Sequence, residues 1–275
     1  MMSIAGLSQR DYTLLCDFVK KITGNVITED KGYLLEYRLH EVIKNENVGG
    51  FQELVNILKS KRYHERLIQK IINVITTHET SFFRDHTPFE VLKTHILPAL
   101  LKKPDKIRIW SAACSSGQEP YSIAMMVCEN FPQLSADRVH IIATDIAENV
   151  LEKARSGVYS QLDVNRGLPA KYLFRYFDKK LQDFVVKDRL KQYVTFKSLN
   201  LISDWPPLPK LDVIFMRNVM IYFDHETRKI LFDKILATMT RASYLILGSQ
   251  ESVIGLHDGF VKSDAMKMSC YQPKT

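Results

Sequence analysis

The sequence predicts an α/β fold preceded by an all-α N-terminal helical domain. Three observations carry that prediction. Residues 1–75 hold only helix-period apolar patterns. Beyond residue 106, short apolar runs alternate with helical stretches. One stretch, Lys106 to Met126 (KIRIWSAACSSGQEPYSIAMM), reads as strand, tight loop and helix. In open α/β sheets such a corner, at the carboxyl end of a strand, is where ligands bind.

In chain order, Ser8 and Asp11 have the spacing of a capping box, Leu14, Leu15, Phe18, Val19 and Ile22 form one stripe, and Gly24 suits a helix end. A second helix, about Tyr33 to Asn45, turns Leu35, Leu39, Val42 and Ile43 inward and leaves Arg38, His40 and Lys44 on its other face. A third carries Phe51, Leu54, Val55 and Leu58; a fourth carries Leu67, Ile68, Ile71, Ile72 and Ile75. The result is a small bundle without a helix-turn-helix pattern.

Thr76 to Asp85 (TTHETSFFRD) joins the bundle to the α/β part. A linker is normally polar and bland. The adjacent Phe82 and Phe83 suggest a segment folded against something. The alternative is a helix N-terminus capped by Thr77 or Thr80, which gives Arg84 no task.

At the corner, Ile107 to Trp110 is rich in β-branched and aromatic residues, as a buried strand is. The small residues from Ser111 to Gly117 permit a sharp turn and a close approach by a ligand. Pro120 suits the first turn of a helix whose apolar face is Ile123, Ala124, Val127 and Cys128. There is neither G-x-G-x-x-G nor GK[ST], so a backbone cradle for phosphate has little support. Glu119 stands where phosphate would be repelled. A ligand with a cationic head and no phosphate fits better; S-adenosylmethionine, with its ammonium, sulfonium and ribose, is one. On these residues alone Glu119 has a second reading, as a carboxylate that only complements the helix dipole.

Val139 to Ile142 is a second strand, ending in Ala143, Thr144 and Asp145. An acid at that tip can bond ribose hydroxyls, and it can equally be a turn or cap. The helix Asn149 to Ser156 follows. Tyr172 to Leu199 breaks the rhythm: DFVVKD and QYVTFKS each alternate apolar and polar residues, which predicts a small antiparallel β excursion. Leu211 to Met216 is a buried strand that runs into RNVMIYF at 217–223. A helix from Asp224, its cap, to Met239 comes next, then strands at Tyr244–Gly248 and Met266–Gln272. The tips at 111–117, 145 and 217–222 would share one edge.

The hydrophobic fraction of 45% is that of a soluble globular protein. No stretch approaches the roughly 20 apolar residues of a membrane span, and MMSIAGLSQRD is not a secretory signal. Cys16, Cys114, Cys128 and Cys270 are scattered without CxxC, which points to a reducing cytoplasm and away from structural zinc. No HExxH is present, and no metal is expected. Arg166 to Lys197 holds nine Lys/Arg against three Asp, so most of the net charge of +7 sits there. This excess could meet nucleic acid or an acidic protein surface, or be a solvated basic face.

Three of these stretches together resemble one family, the chemotaxis receptor glutamate methyltransferases of CheR type. TTHETSFFRD is similar to its Thr-Asn-x-Thr-x-Phe-Phe-Arg segment, WSAACSSGQEPYSIAM to its motif around Gly-Glu-Glu-Pro-Tyr-Ser, and RNVMIYF to its most distinctive string. ATDI, Asn200–Leu201 and the late G-x-x-E-S at 248–252 fall in order, so the likeness covers nearly the whole chain. It implies a Rossmann-like S-adenosylmethionine-dependent methyltransferase domain with a small inserted antiparallel β-subdomain, behind a helical domain. The expected layout is a helical domain at 1–75, a linker contributing to the cofactor site at 76–87, and a methyltransferase domain at 88–275 with its β-subdomain at about 172–199.

The resemblance implies cofactor contacts at His78, Thr80, Arg84, Glu119, Asp145, Asn200, Leu201, Asn218 and Val219. Glu119 would hold the methionine ammonium and Asp145 the ribose. Arg84 would hold the methionine carboxylate or orient the incoming one, and Asn218 and Tyr222 would line the site beside the methyl group, making Arg84 and Tyr222 the catalytic pair. His78 departs from the family's Asn. The DKKL–FVVKD loop is shorter than in members that dock a receptor's C-terminal pentapeptide and has no Gly, which predicts independence of such a tether. The implied substrate is a glutamate on an acidic helix of a receptor's cytoplasmic domain, converted to a methyl ester. Arg38 and Lys44 are candidates for steering it, or ordinary surface charges. A monomeric cytoplasmic protein with no nucleic-acid partner and no membrane insertion is expected. The rivals are a methyltransferase acting on RNA or a small molecule, and a module that binds the cofactor without catalysis.

Overall fold

Four helices open the chain in a computed structural model that describes residues 7–28, 31–61, 63–263, 266 and 268–274. Helix α1 (Gln9–Thr23) is capped by the Ser8 hydroxyl, which accepts from the Asp11 amide, and ends on a left-handed Gly24. Helices α2 (Gly32–Asn45), α3 (Phe51–Ser60) and α4 (Glu65–Ile75) complete the bundle. Their stripes meet in one core that includes Leu15, Val19, Leu35, Leu39, Leu54, Val55, Ile71 and Ile75.

Helices α5 (Thr87–Val91) and α6 (Leu97–Leu100), joined by a π turn, lead into the sheet. There follow β1 (Ile107–Ala112), α7 (Gln118–Asn130), β2 (Val139–Asp145), α8 (Glu148–Ser156) and β3 (Val158–Tyr159). The chain continues through α9 (Gln161–Asn165), α10 (Ala170–Tyr176), β4 (Phe177–Lys180), β5 (Asp183–Val186), α11 (Asp188–Lys191) and β6 (Val194–Ser198). It ends with β7 (Leu211–Met216), α12 (His225–Thr238), β8 (Met239–Leu247), β9 (Phe260–Lys262) and β10 (Cys270–Pro273).

The main sheet has the order β6-β2-β1-β7-β8-β10-β9. The first five strands are parallel; β10 runs antiparallel to both β8 and β9. From β1 the chain winds outward through β2 to β6, then returns to β7 and winds the other way. The reversal lies between β1 and β7, and in a doubly wound sheet the crevice beyond the carboxyl ends at such a reversal is the ligand site. Strand β7 is buried at every position, as its unbroken apolar run requires. Ile107 and Ile109 of β1 face the core under α5 to α7, while Trp110 and Ala112 face the core under α12.

Several features differ from the sequence reading. QYVTFKS does not belong to the β excursion. Its residues Val194–Ser198 are β6, which pairs in parallel with Ile141–Asp145 at the edge of the main sheet. Val194 and Phe196 pack toward Cys114, Ala143 and Leu151, and Thr195 faces the His140 ring. Alternation marks a half-covered strand and is silent about the direction of its neighbour. The small antiparallel sheet is instead β3-β5-β4.

Arg38 does not stand on a free face. It is half-buried and donates to the Ile75 carbonyl and to Thr77 Oγ1, tying α2 to the exit of α4. Lys44 is exposed. No helix begins at Thr77 or Thr80; the next one starts at Thr87. Of the predicted Met266–Gln272 strand, residue 267 lies outside the described residues and the ladder begins at Cys270. Residues 1–6 of the N-terminal stretch also lie outside them. Among the described residues no helix is long and apolar enough to cross a membrane.

Candidate functional site

The loop after β1 turns on backbone conformations that most residues avoid. Ala113 and Ser115 have φ of 56° and 50°. Gly117 has φ of 91°, and a Cβ there would lie 2.9 Å from Ala154 Cβ and 3.0 Å from the Tyr159 hydroxyl. The loop's amides are already spent: Cys114 N donates to Thr144 O, Gly117 N to Cys114 O and Ser115 N to Asp145 Oδ2. Those three are closed to a phosphate, and the acid of the following helix, Glu119, faces the cleft.

Glu119 is held by two donors. Ser111 Oγ donates to Oε1 at 2.7 Å, and Arg217 Nη1 donates to Oε2 at 2.8 Å. A carboxylate offers about four lone-pair sites, so roughly half its capacity stays open. Arg217 is buried, with its side chain 2% exposed, and also donates to Asp85 Oδ2 and the Arg84 carbonyl. Two acids against one guanidinium leave the cluster with a net negative charge, which suits a cationic ligand head.

Asp145 is buried at the tip of β2. Oδ2 accepts from Ser115 N at 2.8 Å and Oδ1 from Ala147 N at 3.0 Å. Burial pushes its carboxyl up from the ordinary range; the backbone donors and the nearby His78 pull the other way and do not prevail. The Cys114 thiol lines the same cleft. Burial pushes it well up, so it stays protonated and is no nucleophile.

The segment after α4 forms the opposite wall. Phe82 and Phe83 are buried in the core under α5 to α7, and Phe83 N donates to Ser122 Oγ. Phe83, Asp85 and His86 all have positive φ, a cluster of strain of the kind concentrated at functional sites. Arg84 donates through Nη1 to the Glu79 carbonyl and is only half-buried. The His78 ring Nε2 faces Asn73 O and Thr76 Oγ1, while its carbonyl accepts from Ser115 Oγ.

The loop after β7 is the third wall. Asn218 has φ of 58°, and the amides of Asn218, Val219 and Met220 all donate to the Glu251 carboxylate. Asn200 spends its side chain on structure, donating to the Ile22 carbonyl of α1 and accepting from Ile202 N. The Tyr222 hydroxyl has no hydrogen-bond partner among the described residues.

These walls enclose one cleft with about 890 Å³ of empty space, counted out to its mouth. His78, Thr80, Arg84, Glu119, Asp145, Asn200, Leu201, Asn218, Val219 and Tyr222 all line it. Arg38 and Lys44 do not; Arg38 lines an adjoining groove between α2 and α4 that shares Thr76, Thr77 and His78 with the cleft. The donor set fits S-adenosylmethionine: an open carboxylate for an ammonium, a buried carboxylate for ribose hydroxyls, and three loop amides closed to a phosphate. Among the described residues no three or more His, Cys, Asp or Glu gather as a metal site.

Sequence reasoning missed Arg217, Glu251, Thr23 and Asn25. Arg217 and Glu251 lie inside strings already quoted, RNVMIYF and G-x-x-E-S. Thr23 and Asn25 line the cleft from the helical domain, and no local pattern announces that.

Two family models match the chain. The CheR methyltransferase all-alpha domain matches residues 10–76, and the CheR methyltransferase SAM binding domain matches residues 78–268. The chain is 39% identical over 257 residues to chemotaxis protein methyltransferase 1 of Pseudomonas aeruginosa, covering 91% of this chain and 93% of that one. It is 36% identical to chemotaxis protein methyltransferase Cher2 of Pseudomonas putida, over 94% and 95% of the two chains. It is 39% identical to the chemotaxis protein methyltransferase of Borreliella burgdorferi, over 90% of each.

Proposed function

The chain belongs to the CheR methyltransferase family, S-adenosylmethionine-dependent enzymes, and from that premise we propose that it methylates glutamate side chains on the cytoplasmic helices of chemotaxis receptors. The product is a glutamyl methyl ester. The observation that carries this reading is the meeting of Arg84 and Tyr222, both with unspent donors, at a cleft that also holds Glu119 and Asp145.

Glu119 would hold the ammonium of S-adenosylmethionine and Asp145 its ribose, while His78, Thr80, Asn200, Leu201, Asn218 and Val219 line the rest of the bound molecule. Bound there, the cofactor supplies a methyl group on a sulfonium centre. A glutamate carboxylate has a reference pKa of about 4.3 and is ionised at neutral pH, so no general base is required. The work left to the protein is alignment and exclusion of water. The Arg84 guanidinium orients a carboxylate, and the Tyr222 hydroxyl fixes the attacking oxygen by donating to its partner oxygen.

Residues 1–75 would present the receptor helix, 76–87 would belong to the cofactor site, and 88–275 would carry the chemistry in a monomeric, cytoplasmic enzyme. Lys44 would steer the acidic helix, with Arg38 shaping the groove beside it. The β4–β5 connection is two residues, Leu181 and Gln182, without Gly; this short turn supports independence of a receptor-tail tether. Micromolar binding of a receptor-tail pentapeptide in titration calorimetry would refute that part.

The test of the whole is transfer of labelled methyl to receptor cytoplasmic fragments. Base-labile label released as methanol is expected. Label on RNA or a small molecule, or cofactor binding with no transfer, would overturn the reading.

A further inference from the structure

The helical domain reaches into the cleft at one place. Thr23 Oγ1 donates to Val19 O and accepts from Asn25 N, which fixes the turn out of α1. Gly24 presses directly on the other domain: a Cβ there would lie 2.7 Å from Ile202 Cγ2 and 2.9 Å from Phe223 Cε1. Val26 N then donates to the Tyr222 carbonyl at 2.9 Å. The Ile22 carbonyl accepts from Asn200 Nδ2, and Lys20 pairs with Asp224 at 2.6 Å. Residues 20–26 thus form a strap clamped to both sides of the peptide that carries Tyr222.

Asn25 sits in the middle of this strap and lines the cleft. Its backbone does not explain its identity, because the left-handed residue is Gly24 and Asn25 has no positive φ. Its neighbours on either side are fixed, one by packing on Phe223 and one by the bond to Tyr222. Its carboxamide has no hydrogen-bond partner among the described residues. An anchored, unspent neutral donor therefore stands next to Tyr222, supplied from the other domain.

We propose that Asn25 is a substrate-positioning residue, donating an N–H to the non-attacking oxygen of the substrate carboxylate. This rests on the carboxylate-methylating reading above. A neutral amide suits the task. It orients the carboxylate without neutralising it, so the attacking oxygen keeps its nucleophilicity, whereas a second cation beside Arg84 would stabilise the ground state. The helical domain then completes the active site as well as presenting the receptor.

The experiment compares Asn25→Ala and Asn25→Asp with wild type, measuring kcat/KM for a receptor fragment and calorimetric affinity for S-adenosylhomocysteine. Wild-type affinity for the latter certifies each variant's fold. The alanine variant should lose about 10-fold in kcat/KM, the worth of one hydrogen bond to a charged group. The aspartate variant, nearly the same shape, should lose about 100-fold because it repels the substrate. A merely structural strap would be moved equally by both changes or by neither. Equal losses, wild-type rates in both, or a fall in S-adenosylhomocysteine affinity that tracks kcat/KM would each overturn the proposal. If the wild-type enzyme itself forms no base-labile ester, the carboxylate reading fails and this proposal with it. That outcome is separate, because it appears before any variant is made.

Discussion

Two glutamates stand at the same edge of the sheet and do opposite things. Glu251 accepts four backbone amides, from Gly248 and Asn218 on Oε2 and from Val219 and Met220 on Oε1, at 2.7–2.9 Å. Its lone pairs are saturated, so it can only hold the loop after β7 in shape. Glu119 accepts one hydroxyl and one guanidinium and keeps capacity open toward the cleft. Both side chains are largely withdrawn from solvent, Glu251 buried and Glu119 13% exposed. What separates a scaffold carboxylate from a binding one is how many of its acceptor sites the fold has already filled.

That contrast predicts an order of effects. Glu251→Ala leaves buried amides at 218–220 and 248 without an acceptor and should destabilise the fold by about 3–5 kcal/mol in urea melts. A loss under about 1 kcal/mol would mean that water replaces the carboxylate and the loop shapes itself. Glu119→Gln should move the other readout, with S-adenosylhomocysteine affinity falling about 10- to 100-fold, as for a lost charge-assisted bond. Its stability change should be the smaller of the two, because Arg217 keeps Asp85 and the Arg84 carbonyl as partners. A variant order reversed on both readouts would break the comparison.

Smaller effects sharpen it. Tyr222→Phe should cut kcat about 10-fold with S-adenosylhomocysteine binding unchanged, if its hydroxyl has the proposed positioning role and abstracts no proton. A wholly inactive variant with intact binding would contradict that role. Asp145 supplies a pH signature. Burial raises its pKa above the ordinary 3.8, so the carboxylate becomes a neutral acid at a higher pH than a free aspartate does. Affinity for S-adenosylhomocysteine, measured by calorimetry across acid pH, should weaken as pH falls through that raised value. For the ligand-free fold the sign is opposite. The folded state holds the proton more tightly, so Asp145's contribution to stability is fully present below 3.8 and is lost as pH rises through the raised value.

The fold was largely legible because its patterns are local. Stripes such as Leu35, Leu39, Val42 and Ile43 need only helical periodicity, and LDVIFM needs only an unbroken apolar run. Strand β6 was misassigned because alternation at Val194 and Phe196 reports a half-covered surface, not the partner's direction. The three-residue β9, with Val261 and Lys262 exposed, carries too little pattern to be read. At the site, Glu119 and Asp145 were visible as acids at strand and helix tips. Arg217, Glu251 and Asn25 were not, because their meaning lies in contacts across roughly 100, 30 and 200 residues of chain, and no spacing rule reaches so far.

The most direct test of the account is a crystal structure with S-adenosylhomocysteine bound. It should show the amine hydrogen-bonded to Glu119, the ribose on Asp145, and Arg84, Tyr222 and Asn25 ringing the sulfur. A ligand that lies elsewhere, or one whose amine is turned away from Glu119, would contradict it.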